Sequence, residues 1–346
     1  MSRFKVALTA DFYAANGEPK FADFGLSTFD AHPEISVQRF AEHRPQIGAD
    51  QFAGADAVIV LTPSVTRDTV TNADDLLAIS RFGVGYDSVD VQACTDADVL
   101  VCITVGAVDR PVAEATVGWM IAVTHHMSVK DRLAREAKWD DRSQYMGREL
   151  RDRTLGIVGF GGIARKLVEL LTGWGMRPPL AFDPHVDPSM AAKFGVRLVD
   201  LEEVLQASDF VSLHCPLTEQ TRGLIGREEL SLMKPDAFLI NTARGGIVDE
   251  NALYDALREK RIAGAALDCF ATEPLTEPSR FREFENVLLA PHSIAWTNEM
   301  FRDIGRAACR ALVDLSQRIP PRGIVNQTVL EHAGFRRKWD RICSKG

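Results

Sequence analysis

Four reactive side chains in the second half of the chain each follow a short apolar, strand-like run. Phe238–Asn241 leads through Thr242 and Ala243 to Arg244, and Ala265–Leu267 leads to Asp268 with Glu273 in the loop beyond. Leu288–Ala290 leads through Pro291 to His292. In an open parallel sheet, ligands bind beyond the carboxyl ends of the strands, so these groups can converge on one crevice. Their types suit reduction of a 2-keto acid. A guanidinium can grip a carboxylate and a polarised carbonyl through its fork. A histidine can give a proton to the nascent alkoxide. A carboxylate behind that histidine favours its charged form and fixes its orientation. Taken singly, each has an ordinary structural explanation: a surface ion pair, a loop acid, a cap before a helix. Their joint placement after strands argues for a site.

A second feature supplies the hydride chemistry. After the run Leu155–Val158 the chain reads Gly159-Phe160-Gly161-Gly162-Ile163-Ala164, a G-x-G-x-x-A loop opening a predicted helix from about Ile163 to Leu171. Gly159 permits the tight turn, Gly161 lets backbone approach a pyrophosphate, and Ala164 is small enough for close helix–strand packing. The helix N-terminus offers free N–H groups and the positive end of its dipole. Such a loop is weak evidence alone, but its place between strand and helix is what the mechanism demands. The next strand, Leu180–Phe182, ends in Asp183, roughly 20 residues past the loop, where an acid accepts from a ribose 2′-hydroxyl. No arginine immediately follows, so NAD is favoured over NADP; as a mere turn-former before Pro184, Asp183 would have no such role.

The elements that must position these groups alternate in β- and α-type patterns, twice over, which implies βαβ units on parallel sheets. The first series of strands reads Phe4–Leu8, Ile35–Gln38, Ala57–Leu61, Ala78–Phe82 and Val99–Ile103, with helical stretches at Ala73–Leu77 and Val89–Ala97. A long helix is expected from Pro111 to about Lys138. The second series adds Leu155–Val158, Leu180–Phe182, Arg197–Val199, Phe210–Leu213, Phe238–Asn241, Ala265–Asp268 and Val287–Ala290, with a helix at Asn251–Glu259 and a last one from Asn298 to about Gln317. The length of 346 residues implies two domains, with crossings near Val105–Ala107 and Ala295–Asn298.

Bulk properties exclude several classes. A formal charge of -8 disfavours nucleic acid. The one basic cluster, Arg336, Arg337, Lys338, Arg341 and Lys345, reads as a solvated C-terminal end. The six cysteines form no C-x-x-C pair and read as reduced thiols of a cytoplasmic protein. The N-terminus shows no signal-peptide core, and no apolar run approaches the roughly 18 residues of a membrane span. His125-His126 and His214-Cys215 lack metal-ligand spacing and no H-E-x-x-H is present, so no metal site is expected. Neither a G-x-S-x-G elbow nor a phosphate-binding G-x-x-x-x-G-K-[ST] loop occurs.

Several ordered stretches resemble the D-isomer-specific 2-hydroxyacid dehydrogenases, a family that includes glycerate, lactate and phosphoglycerate dehydrogenases. They are Arg81–Asp87 (RFGVGYD), Val112-Ala113-Glu114, Leu155–Ala164, His214–Thr218 (HCPLT), Asn241–Asp249, Asp268–Pro274 and Pro291-His292, within a resemblance covering roughly Ala57 to Thr297. The resemblance implies Arg244 as the substrate-binding arginine, His292 as general acid/base and Glu273 as its partner. It implies that Asp268 meets the nicotinamide amide and that Gly159, Gly161, Gly162, Ile163, Asp183, His214, Cys215, Pro216, Thr221, Thr242 and Ala243 line the cofactor. Gly83, Val84, Gly85 and Trp296 would receive the substrate, with the backbone of Val84 and Gly85 taking its carboxylate. The implied fold is α/β: two Rossmann- or flavodoxin-like doubly wound parallel-sheet domains with a cofactor cleft between them. Residues 1–106 plus 297–346 would form the substrate domain and 107–296 the NAD domain, in a homodimer.

The sequence departs from the family pattern at Ala164, in the segment Ile103–Arg110, which lacks the usual asparagine and proline, and at Ala295, commonly glycine. These differences bear on substrate identity, not reaction class. Leu61-Thr62 lie where phosphoglycerate enzymes carry a basic residue, which argues against a phosphorylated substrate. Two rival readings are a non-enzymatic NAD sensor like the corepressors of this fold, and a phosphite dehydrogenase. Glu273 argues against formate, whose enzymes carry glutamine there.

Overall fold

The computed structural model describes residues 4–52, 54–71 and 73–344. The chain divides into two compact units, Met1–Val108 with Trp296–Gly346, and Asp109–Ala295. Ala107, Val108 and Trp296 thus fall on the other side of the sequence-placed borders.

The first unit holds a parallel sheet of β1 (Phe4–Leu8), β2 (Ile35–Arg39), β3 (Ala57–Val60), β4 (Ala78–Arg81) and β5 (Leu100–Ile103), in the order β2-β1-β3-β4-β5. That is the flavodoxin-like order. The helix Asn298–Ser316 returns to this sheet with its apolar stripe of Phe301, Ile304, Ala308, Leu312 and Leu315 buried. The stripe repeats at helical spacing, so packing rather than propensity holds it in place.

The second unit contains β6 (Leu155–Val158), β7 (Leu180–Phe182), β8 (Arg197–Leu198), β9 (Phe210–Leu213), β10 (Phe238–Asn241), β11 (Gly264–Leu267) and β12 (Val287–Leu289). All pair in parallel, in the order β12-β11-β10-β9-β6-β7-β8. This is the dinucleotide-fold order extended by one strand, with the reversal between β6 and β9. The strands are apolar on both faces because helices cover both. Phe210, Phe238 and Ile240 join one core with Met120 and Leu167, while Val211, Leu213 and Leu239 join the other with Val204 and Leu253.

Three expectations need correction. The long helix from Pro111 is two, Asp109–Thr124 and Met127–Arg135. It breaks at His126, which takes a left-handed φ of 52°, after Thr124 turns its hydroxyl back onto the Met120 carbonyl at 2.6 Å. Ala73–Leu77 is a turn leading into β4. The basic C-terminus is a docked helix, Ala333–Cys343, not a solvated end. Phe335 is fully buried, Trp339 Nε1 donates to the Leu315 carbonyl at 2.7 Å, and Lys338 Nζ donates to the carbonyls of Ala73, Leu76 and Ala97 at 3.2, 3.1 and 2.9 Å. Lys345 lies outside the described residues. No helix among those described is long and apolar enough to cross a membrane.

Candidate active site

The reactive side chains of the second unit gather beyond the carboxyl ends of β10, β11 and β12. Asn241, the last residue of β10, braces the turn that presents Arg244. Its side-chain amide donates to the Arg244 carbonyl at 2.8 Å and its Oδ1 accepts from the Ala243 N–H at 3.0 Å. Gly245 then lies so close to the next loop that a Cβ there would meet the Phe270 carbonyl carbon at 1.9 Å. Only glycine lets the Arg244 turn and the Phe270–Glu273 loop approach this closely.

His292 and Glu273 form a direct pair, with His292 Nδ1 2.6 Å from Glu273 Oε2. Glu273 Oε1 accepts from the Phe270 N–H at 2.8 Å, so both carboxylate oxygens are engaged. Burial pushes the Glu273 carboxyl up. The hydrogen bond from His292, the Phe270 N–H and the charges of His292 and Arg244 outweigh it and hold the group below the usual carboxylate range. Asp268 holds the turn that carries the histidine. The His292 N–H donates to the Asp268 carbonyl at 2.8 Å, and Asp268 Oδ1 accepts from the N–H groups of Ser293 and Ile294 at 2.8 and 3.1 Å. With those bonds made, His292 keeps a left-handed φ of 52°, rare for a residue with a side chain.

The glycine loop stands at the carboxyl end of β6. Gly159 has a φ of 90°, and a Cβ on it would meet the Cys215 backbone nitrogen at 2.7 Å, so the His214–Pro216 strand end packs directly behind the loop. Gly162 opens the helix Gly162–Leu170 and Ile163 follows it. A side chain at Gly161 would enter open space, and one at Gly162 would collide with the Asp109 carboxylate. Asp183 is already committed to the loop: Oδ2 accepts from the Phe160 N–H at 2.7 Å and Oδ1 from the His185 N–H at 2.9 Å. A carboxylate oxygen has lone pairs to spare for a ribose hydroxyl.

Two polar atoms at this edge are enclosed and have no partner among the described residues, His214 Nδ1 and Thr242 Oγ1. Burial pulls His214 down to about 4, and its Nε2 lies 2.9 Å from Ser212 Oγ. A dinucleotide fits this edge: open space at Gly161, a helix N-terminus beside it, and orphaned polar groups that need partners. Thr221 and Ala243 are less available. The Thr221 hydroxyl donates to the Pro216 carbonyl at 2.6 Å, closing a local turn, and the Ala243 carbonyl accepts from Arg244 Nη1 at 2.7 Å and Cys269 Sγ at 3.3 Å.

The remaining expected residues, Gly83, Val84, Gly85 and Trp296, belong to the first unit. Gly83 follows β4, and its carbonyl accepts from the Thr104 N–H at 3.0 Å. Trp296 is exposed and stands edge-on to Phe301, 5.2 Å between centroids. The sequence reading missed Asn241, Gly245 and Cys269. A buried asparagine ending an apolar strand is a readable signal; the close approach at Gly245 is visible only in three dimensions.

Residues 117–293 match the NAD binding domain of the D-isomer specific 2-hydroxyacid dehydrogenases. A glyoxylate reductase of Thermococcus litoralis is 36% identical over 314 residues, 88% of this chain and 94% of that protein. The chain belongs to the D-isomer specific 2-hydroxyacid dehydrogenase family. A D-3-phosphoglycerate dehydrogenase of Methanocaldococcus jannaschii is 38% identical over 258 residues, 74% of this chain but only 49% of that protein. The chain therefore spans about half the length of such relatives. The crystal structure of a glyoxylate reductase from Paecilomyes thermophila superposes with a TM-score of 0.80 at 25% identity, covering 95% of this chain and 100% of that one.

Proposed function

We propose that this chain reduces a small 2-keto acid to the D-2-hydroxy acid, and reverses that reaction, with NAD(H) as partner. The observation that carries the reading is the His292–Glu273 pair, 2.6 Å apart, close enough to Arg244 for its charge to act on Glu273. NADH, when bound, supplies the hydride, and NAD+ takes it back in the reverse direction.

The chain's own groups do the rest. Arg244 grips the substrate carboxylate and polarises the keto oxygen. The keto carbon gains the hydride, and its oxygen gains the proton that His292 gives up. Glu273 accepts the Nδ1 proton of His292, which leaves Nε2 as the atom that delivers and recovers the substrate proton. Asp268 and Asn241 keep the two turns in register. Asp183 would accept from the adenosine ribose hydroxyls, which favours NAD over NADP. No disulfide joins the six cysteines among the described residues, which supports a reducing, cytoplasmic setting, and family likeness supports a homodimer, which sedimentation of the purified chain tests.

The deciding experiment is an NADH-oxidation screen over glyoxylate, hydroxypyruvate, pyruvate and branched and aromatic keto acids. Turnover with at least one, and D configuration of the product, is expected. A protein that binds NADH yet turns over none of them contradicts the reading.

A further inference from the structure

Cys269 has no part in the reaction as described, yet it sits against the groups that do. Its sulfur, one ring nitrogen of His292 and one carboxylate oxygen of Glu273 all lie within 4.8 Å of one another. Cys269 is 2% exposed, whereas His292 and Glu273 keep 45% and 33% of their side-chain surface open, so a small ion can enter from the solvent side. No ligand spacing in the sequence announces this set: the three come together because β11 and β12 are neighbours and the His292 turn folds back onto Asp268.

We propose that Cys269, Glu273 and His292 form an inhibitory site for a soft or borderline divalent cation such as Zn2+. Thiolate, imidazole and carboxylate are its preferred donors. Bond lengths of about 2.0–2.3 Å place neighbouring ligand atoms roughly 3–4 Å apart, so the set needs only a small adjustment. The histidine–glutamate contact opens slightly and the sulfur closes in. Binding forms a metal–sulfur, a metal–nitrogen and a metal–oxygen bond. It releases to solvent the thiol proton and any proton shared by the His292–Glu273 pair. Two anionic donors balance the charge of the ion. The positive charge of Arg244, which already acts on Glu273, opposes it and keeps binding reversible. Occupancy takes the acid/base out of service, because the metal replaces the proton that His292 shares with Glu273 and the imidazolium that serves as the acid can no longer form.

The loss of turnover rests on the function proposed above; the metal site itself does not, so two readouts are used. In the first, Zn2+ is titrated against NADH oxidation by wild type, C269A and C269V, each read against its own metal-free rate. Inhibition of wild type, reversal by EDTA, and a shift of about tenfold or more in the half-inhibiting concentration of both variants are expected. In the second, Cd2+ is added without substrate and the thiolate-to-metal absorption is followed. One equivalent should develop in wild type and be lost in C269A and sharply weakened in H292A, with thermal melts confirming that each variant is folded. Inhibition unchanged by loss of the thiol, or a Cd2+ band unaffected by either substitution, overturns the proposal. If wild type turns over no keto acid, the function fails, and the Cd2+ titration alone decides the metal site.

Discussion

The carboxyl edge of the seven-stranded sheet and the amino edge of the five-stranded sheet solve one problem with opposite chemistry. Each must satisfy backbone groups left open where the chain leaves or enters parallel strands. At the carboxyl edge, side-chain acceptors take the loose N–H groups: Asp268 holds Ser293 and Ile294, and Glu273 holds Phe270. At the amino edge, one cation takes the loose carbonyls, Lys338 holding Ala73, Leu76 and Ala97 from the C-terminal helix. The first arrangement leaves its reactive groups half-open to ligand; the second half-buries its charge among three carbonyls. The lesson is that a polar brace at a sheet edge serves chemistry when it holds a turn and leaves the neighbouring side chain free. It serves stability when the brace itself is enclosed by the elements that it joins.

That contrast breaks most visibly at Asp268. D268A should slow turnover by about 100-fold, the usual cost of displacing a reacting group by an ångström. D268N keeps an acceptor for the two N–H groups and should recover part of the loss; equal damage in both would place the effect on the charge rather than on the turn. K338M should do the reverse. It leaves three carbonyls without a buried donor, so urea unfolding of the protein should show a loss of about 1–3 kcal/mol. Keto-acid turnover at 25 °C should stay near that of wild type; a variant of unchanged stability would show the clasp to be idle.

The smallest effect sharpens the comparison through pH. His214 sits behind the glycine loop with its folded pKa pulled down to about 4, below the ordinary histidine value near 6.5. Between those values the unfolded chain binds a proton that the folded chain refuses, so stability is fully present above the upper value and declines as pH falls toward the lower. Melting temperature should drop across that window, and H214N should flatten part of the drop. A variant with the same slope as wild type would assign the acid sensitivity elsewhere.

Much of the frame was legible because parallel strands buried on both faces read as short apolar runs with no competing pattern. Leu155–Val158, Phe210–Leu213 and Phe238–Asn241 are of this kind. The groups after those strands could therefore be placed at one edge from sequence. What failed depended on partners far away. Ala73–Leu77 has helical composition, but its turn is fixed by carbonyls that meet Lys338 more than 260 residues on. The basic tail hid a helical stripe, Phe335, Trp339 and Ile342, spaced for one buried face, while its charges drew the eye. The Cys269 cluster could not be read at all, since Cys269 and Glu273 lie in the loop after β11 while His292 lies in the turn after β12, and only the β11–β12 pairing brings them together.

The central claim is that His292, held by Glu273, is the proton donor of the reaction. Single-turnover mixing of the NADH complex with glyoxylate, or with the best keto acid of the screen, tests it in the chemical step itself. H292A should oxidise NADH roughly 100- to 10,000-fold more slowly than wild type, the usual worth of positioned acid–base catalysis, with NADH affinity by fluorescence little changed. A variant that oxidises NADH at close to the wild-type rate, with hydride transfer limiting, would contradict the account.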